Sequence, residues 1–242
     1  MLRSVKALYG CTIEATDGDI GGVYAFYFDD QAWTIRYLVV DTGIWLPGRE
    51  VLISPAALGQ PHWEMRRLPA NLTQEQVENS PDVDRDQPVS RQHETALHDY
   101  YAWPVYWTAP PARAGALALP EELAEQLATE FGDPHLRSTQ EVIGYYIAAS
   151  DGDLGHVEDF IIDDENWTIR YMVIDTRNWL PGKKVLVSPE WITKVDWGES
   201  KVHVNLTQEE IKNSPEYDPA ETVNRLYEER LYDFYGRPKY WN

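Results

Sequence analysis

The chain has 242 residues, 43% of them hydrophobic and 25% charged, with a formal net charge of −19. The acidity is spread along it, about −7, −4 and −8 over residues 1–107, 108–135 and 136–242, so either half would repel a phosphate backbone and nucleic acid is excluded as a partner. The single cysteine, Cys11, rules out an internal disulfide and points to a reducing, cytoplasmic setting.

The N-terminal Met-Leu-Arg-Ser-Val-Lys has no apolar signal core. No run of about 18 apolar residues occurs, so direct membrane insertion by a helix is not expected. What dominates instead is a repeat. Residues 2–107 align without a gap on 136–241 at an offset of 134, with nearly half of the positions identical. Two domains follow, 1–107 and 136–242, joined by an Ala/Pro-rich connector, 108–135. Within it a short amphipathic helix is expected from Pro120 through Leu123, Leu127 and Phe131 to Gly132.

In chain order, each copy opens with a polar-then-apolar stretch, Val5 to Ala15 or Thr139 to Ala149. These end at Asp17-Gly18-Asp19 and Asp151-Gly152-Asp153. Asp-Gly between apolar runs signals a hairpin, because such turns need positive φ angles. Strands are expected next over Gly21 to Phe28 and Gly155 to Ile162. The clearest strands run from Trp33 to Asp41 and from Trp167 to Asp175, with Trp33, Ile35, Tyr37 and Val39 on one face. Turns at Trp45-Leu-Pro-Gly48 and Trp179-Leu-Pro-Gly182 lead to short strands that stop at Ser-Pro. A last strand is expected around Trp63 to Leu68 and Lys201 to Val204. Short strands with frequent turns predict a mainly β fold, a small antiparallel barrel or sandwich in each copy.

A helical tail follows in each copy. Thr73 with Gln76 and Thr207 with Glu210 fit a capping box. A second helix is expected over about Val89 to Tyr101 and Val223 to Tyr235, with His93, Leu97, Tyr100 and Tyr101 as its apolar stripe in the first copy and Tyr227, Leu231, Phe234 and Tyr235 in the second. Tyr106-Trp107 and Tyr240-Trp241 close the tails.

The ordered set Gly10, Asp17 to Gly21, Phe26, Asp29-Asp30, Ile35 to Asp41, Leu46 to Gly48 and Val51 to Pro55, repeated from Gly144 to Pro189, resembles the PRC-barrel family. The resemblance covers the β part of each copy. It implies two tandem small antiparallel barrels like the cytoplasmic domain of the photosynthetic reaction-centre H subunit. It also implies an interaction module that serves a membrane-bound electron-transfer complex or another large assembly.

Asp41 and Asp175 end apolar strands that also carry Arg36 and Arg170. An acid or base tuned by the arginine is one reading; a structural strand-end residue is the favoured one. Asp17-Gly18-Asp19 and Asp151-Gly152-Asp153 lack the calcium-loop pattern, so they read as turns. None of the six histidines is histidine in both copies, so no metal and no cofactor is expected. The exposed-aromatic candidates for a binding surface are Trp45, Trp179, Tyr106, Trp107, Tyr240 and Trp241. The reading that results is a non-catalytic protein that binds protein partners, its repeats paired as an intramolecular pseudo-dimer in which each tail covers the other barrel. The alternative is a small-ligand or carbohydrate-binding or -hydrolysing protein using aromatics and a carboxylate.

Overall fold

A computed structural model describes residues 1–43, 45–81, 89, 91–107, 135–176 and 183–241. The expected connector helix lies outside the described residues. The chain is mainly β, with two sheets in two compact units. One unit is Leu8–Ser138; the other joins Met1–Ala7 to Thr139–Asn242. The first seven residues therefore belong with the second repeat, and the strand that opens the second repeat belongs with the first.

Those two exchanged arms are β1 (Leu2–Ser4) and β7 (Leu136–Ser138). In the Leu8–Ser138 unit, β2 (Thr12–Glu14), β3 (Asp19–Asp29), β4 (Thr34–Asp41), β5 (Glu50–Ile53) and β6 (Arg67–Pro69) lie in the order β5-β4-β3-β2-β6. Arm β7 pairs with β3, Arg137 opposite Phe28. In the other unit, β8 (Tyr146–Ala149), β9 (Gly152–Asp163), β10 (Ile169–Asp175), β11 (Lys184–Val187), β12 (Ile192–Asp196) and β13 (Lys201–Val204) lie in the order β11-β10-β9-β8-β13-β12. Arm β1 pairs with β9, Arg3 opposite Ile162.

The arms carry the same Leu-Arg-Ser sequence, and their anchors correspond. The Asp164 amide donates to the Met1 carbonyl and the Asp30 amide to the His135 carbonyl, both at 2.9 Å. Arg3 Nε lies 3.1 Å from Asp164, and Arg137 Nε 3.6 Å from Asp30. The acceptors differ in one respect. Buried Asp159 receives the Ser4 hydroxyl and the Lys6 amide, whereas the matching position of the first repeat is Ala25. Burial pushes the Asp159 carboxyl above its ordinary range, against the pull of those hydrogen bonds.

Several expectations need correction. The sheets are mixed, because β6 runs parallel to β2 and β13 parallel to β8. Trp63–Met65 is a 3-10 turn, so the last strand of the first repeat shrinks to Arg67–Pro69. Trp33 and Trp167 do not start strands. They sit in the preceding turns at φ 51° and 58°, where Trp33 stacks on Phe28 at 5.3 Å and Trp167 is buried. Left-handed backbone of this kind is uncommon for a bulky residue.

Each sheet buries one face under its helical tail. Both capping boxes form, on α2 (Gln74–Glu78) and α5 (Gln208–Asn213), counting the short helices α1 (Val5–Leu8) and α4 (Thr139–Val142) and the long helix of the first tail, α3 (Arg91–Tyr101). The long helix of the second tail is α6 (Arg225–Tyr235), ended by Gly236 at φ 59°. The buried stripe of α3 is Glu94, Leu97 and His98, while Tyr100 is 42% exposed. A four-residue spacing thus places a carboxylate where the apolar pattern pointed to its neighbours.

Candidate functional site

The buried face of each long helix meets its sheet through one glutamate. Tyr37 on β4 and Glu94 on α3 are both fully buried, and the Tyr37 hydroxyl donates to Glu94 Oε1 at 3.0 Å. The Tyr106 hydroxyl, from the end of the tail, donates to the same oxygen. Arg91, one turn back on α3, holds Oε2 at 3.1 Å. A carboxylate taken out of water needs this compensation, and hydrogen bonds to a charged group contribute about 1.5–3 kcal/mol each.

The second repeat builds the same constellation. The Tyr171 and Tyr240 hydroxyls donate to Glu228 Oε1 at 2.8 and 2.7 Å, and Arg225 lies 3.0 Å from Oε2. Burial, followed by the glutamate charge at Tyr37 and by the Tyr232 and Glu228 charges at Tyr171, pushes both buried phenols far above their ordinary range. They are hydrogen-bond donors, held protonated.

Guanidinium groups stack on the closing aromatics. Arg36 lies 4.0 Å above the Tyr106 ring and Arg170 4.3 Å above that of Tyr240. Arg91 covers Trp107 at 4.6 Å and Arg225 covers Trp241 at 4.2 Å. The Tyr-Trp pairs are thus engaged by their own units, each tail closing on the sheet of its own repeat. This corrects the expected exchange of tails: the exchanged elements are the arms β1 and β7.

One position distinguishes the two networks. His98 lies 2.9 Å, through Nε2, from the Tyr37 hydroxyl, and Tyr232 occupies the matching position. Because the Tyr37 proton goes to Glu94, geometry assigns the Nε2–H tautomer to a neutral His98. Burial lowers its pKa.

The other sequence-derived residues are dispersed. Arg36 pairs with Asp29 at 2.9 Å and Arg170 with Asp163 at 3.3 Å, so neither arginine tunes the strand-end aspartate. Asp41 accepts from the Gly43 amide at 2.9 Å, a local turn contact, and Asp175 is buried at the edge of β10. Asp17 and Asp151 accept from the Gln74 and Gln208 amides at 2.8 and 2.7 Å, fastening hairpin to tail helix. Gly18 and Gly152 give these glutamine side chains room, since a Cβ would come within 2.9 and 2.7 Å of their amide nitrogens. Trp45 is half-buried and donates through Nε1 to the Ile20 carbonyl. Trp179 lies outside the described residues. Among the described residues no group of three or more His, Cys, Asp or Glu side chains could hold a metal ion.

Glu94 and Glu228 escaped the sequence reading because a glutamate on a helix normally marks its solvent face. The usable signal was identity: Tyr37, Arg91, Glu94 and Tyr106 all recur at the offset of 134, although charged positions around them vary.

No curated protein matches the chain. The scan against family models finds a PRC-barrel domain at residues 136–211.

Proposed function

We propose that the chain is a tandem pair of PRC-type β-barrels and serves as a non-catalytic, cytoplasmic interaction module. The observation that carries the tandem reading is the common strand order. The first repeat has β5-β4-β3-β2-β6 where the matched second repeat has β11-β10-β9-β8-β13, each with an exchanged arm on its long central strand. The interaction reading rests on the domain type, and on the way the chemically capable groups are used. The buried glutamates, tyrosines and arginines are consumed in closing the tails, twice over, with the same partners. Function on such a scaffold belongs to surface that the repeats do not share. A large assembly, including a membrane-bound electron-transfer complex, is the partner class that the resemblance favours.

The test is affinity capture of the tagged full-length protein from its native cells, with and without membrane solubilisation, followed by mass spectrometry. A stoichiometric protein partner is expected. Absence of any reproducible protein, together with co-purification of a small molecule, would overturn the reading.

A further inference from the structure

The two repeats act as internal controls for each other: what both keep is needed by the fold, and what only one carries is free to serve something else. On α6, Leu226, Arg230 and Phe234 follow one another at four-residue steps and share one face. Leu226 is 76% and Phe234 43% exposed. The first repeat has Gln92, Ala96 and Tyr100 at these positions, and Tyr100 ties its hydroxyl to the Gln76 carbonyl at 2.9 Å. The fold therefore does not require an exposed leucine, arginine or phenylalanine here.

Beside this face runs a groove of about 380 Å3 between α6 and the segment 216–224 that leads into it. Its floor is shaped by Tyr217 and Tyr227. The Tyr217 amide donates to the Lys184 carbonyl at 2.8 Å, and the Tyr227 hydroxyl donates to the Pro215 carbonyl at 3.0 Å, so the walls are fixed rather than loose. Glu216, Asp218 and Glu221 line the groove against a single guanidinium, that of Arg230. Its ring partner is Tyr227, 5.4 Å away.

We infer that this face of the second repeat is a docking surface for a basic, apolar segment of a protein partner, one that presents leucine or aromatic side chains flanked by lysine or arginine. The inference rests on the interaction reading above and locates it. Leu226 and Phe234 supply apolar area that water disfavours. The three carboxylates select the sign of the flanking charge and, on a chain of net charge −19, speed its approach. A fixed groove adds preorganisation, which reduces the ordering cost of binding.

The experiment uses the full chain as bait for a phage-displayed random library of about twelve-residue peptides. Two full-length variants serve as controls: L226Q/F234Y, built from the side chains that the first repeat carries at these positions, and E216Q/D218N/E221Q. Unchanged circular dichroism and thermal midpoint verify that both fold. The enriched peptides are expected to combine Lys or Arg with Leu or aromatic residues, and to bind each variant at least about tenfold more weakly, a change of about 1.4 kcal/mol. No enrichment, peptides without basic residues, or binding to either variant as tight as to the wild type overturns the proposal. So does a concentration-dependent self-dimer that L226Q/F234Y dissolves, which would make a second copy the occupant. A native partner retained equally by L226Q/F234Y would sink the groove and leave the interaction reading standing. Loss of every partner from the wild-type capture would sink that reading itself.

Discussion

Tyr37 and Glu94 lie 57 residues apart and share a buried hydrogen bond of 3.0 Å; Tyr171 and Glu228 repeat it at 2.8 Å over the same separation. A carboxylate with two phenols and a guanidinium around it fastens each tail to its sheet. Removing the carboxylate leaves two donors and a cation without their acceptor. Glu228→Ala is expected to destabilise the protein by about 3–5 kcal/mol. Glu228→Gln keeps an acceptor of the same shape and should cost less than about 3 kcal/mol. Urea unfolding followed by tryptophan fluorescence measures both, and equal losses for the two variants would show that the charge, not the acceptor, is what matters.

His98 is expected to make the first tail sensitive to pH; the second tail carries Tyr232 at that position. Its folded pKa is lowered from an ordinary value of 6.5 by burial, so the unfolded chain binds the proton more readily. Its contribution to stability is complete above about pH 6.5 and declines as pH falls from there towards the depressed folded value. Asp159 acts in the opposite sense. Its raised pKa makes the folded state bind the proton more readily, so its desolvation penalty is relieved as pH falls through the folded value. His98→Tyr installs the residue of the second repeat and should flatten the stability profile between about pH 7.5 and 5.5. A profile as steep as that of the wild type would assign the dependence elsewhere.

The exchanged arm makes an unusual prediction about where a deletion is felt. Removing Met1–Ala7 strips β9 of its neighbour and takes Ser4 and Lys6 from Asp159. Amide exchange should accelerate at Asp164, whose amide donates to the Met1 carbonyl, while Asp30, whose amide donates to the His135 carbonyl, stays protected. Acceleration at Asp30 with protection at Asp164 would mean that each arm pairs with its own repeat.

Gly155 and Gly144 separate two reasons for a glycine. Gly155 has φ +63°, and a Cβ would stand 2.2 Å from the Asp175 carbonyl oxygen; Gly144 has φ +100° with nothing within 4 Å of that Cβ. Gly144→Ala should cost about 1–2 kcal/mol of backbone strain. Gly155→Ala adds a clash with a central strand and should exceed about 3 kcal/mol. Thermal or urea midpoints decide, and similar costs for the two would rule out the close approach of β9 to the end of β10.

Local chemistry was legible in the sequence where it acts locally. The Thr73 and Thr207 capping boxes, the Asp-Gly hairpins and the Ser-Pro strand ends all follow from side chains meeting backbone within a few residues. The repeat also carried the mainly β architecture. What stayed hidden depends on distance along the chain. The Leu-Arg-Ser arms are identical, so no local preference states which sheet each joins; Asp159 in place of Ala25 matters only once the strands are paired. Trp33 resembles a strand residue by composition, yet packing on Phe28 holds it in a left-handed turn. Glu94 and Glu228 look like solvent-facing helix residues until Tyr106 and Tyr240 fold back onto them. The same return of the tail engages Tyr106, Trp107, Tyr240 and Trp241 within the chain, while Phe234, expected in the apolar stripe of its helix, is left partly outside together with Leu226.

The arms also change what counts as a separable piece of this protein. A clone cut at the edges of the sequence repeat would separate each sheet from the arm that it pairs with here. The compact units are instead 8–138 and the combination of residues 1–7 with residues 139–242. Each compact unit thus draws one strand from the other repeat's stretch of sequence, so the edges of the repeat are not the edges of the folded units.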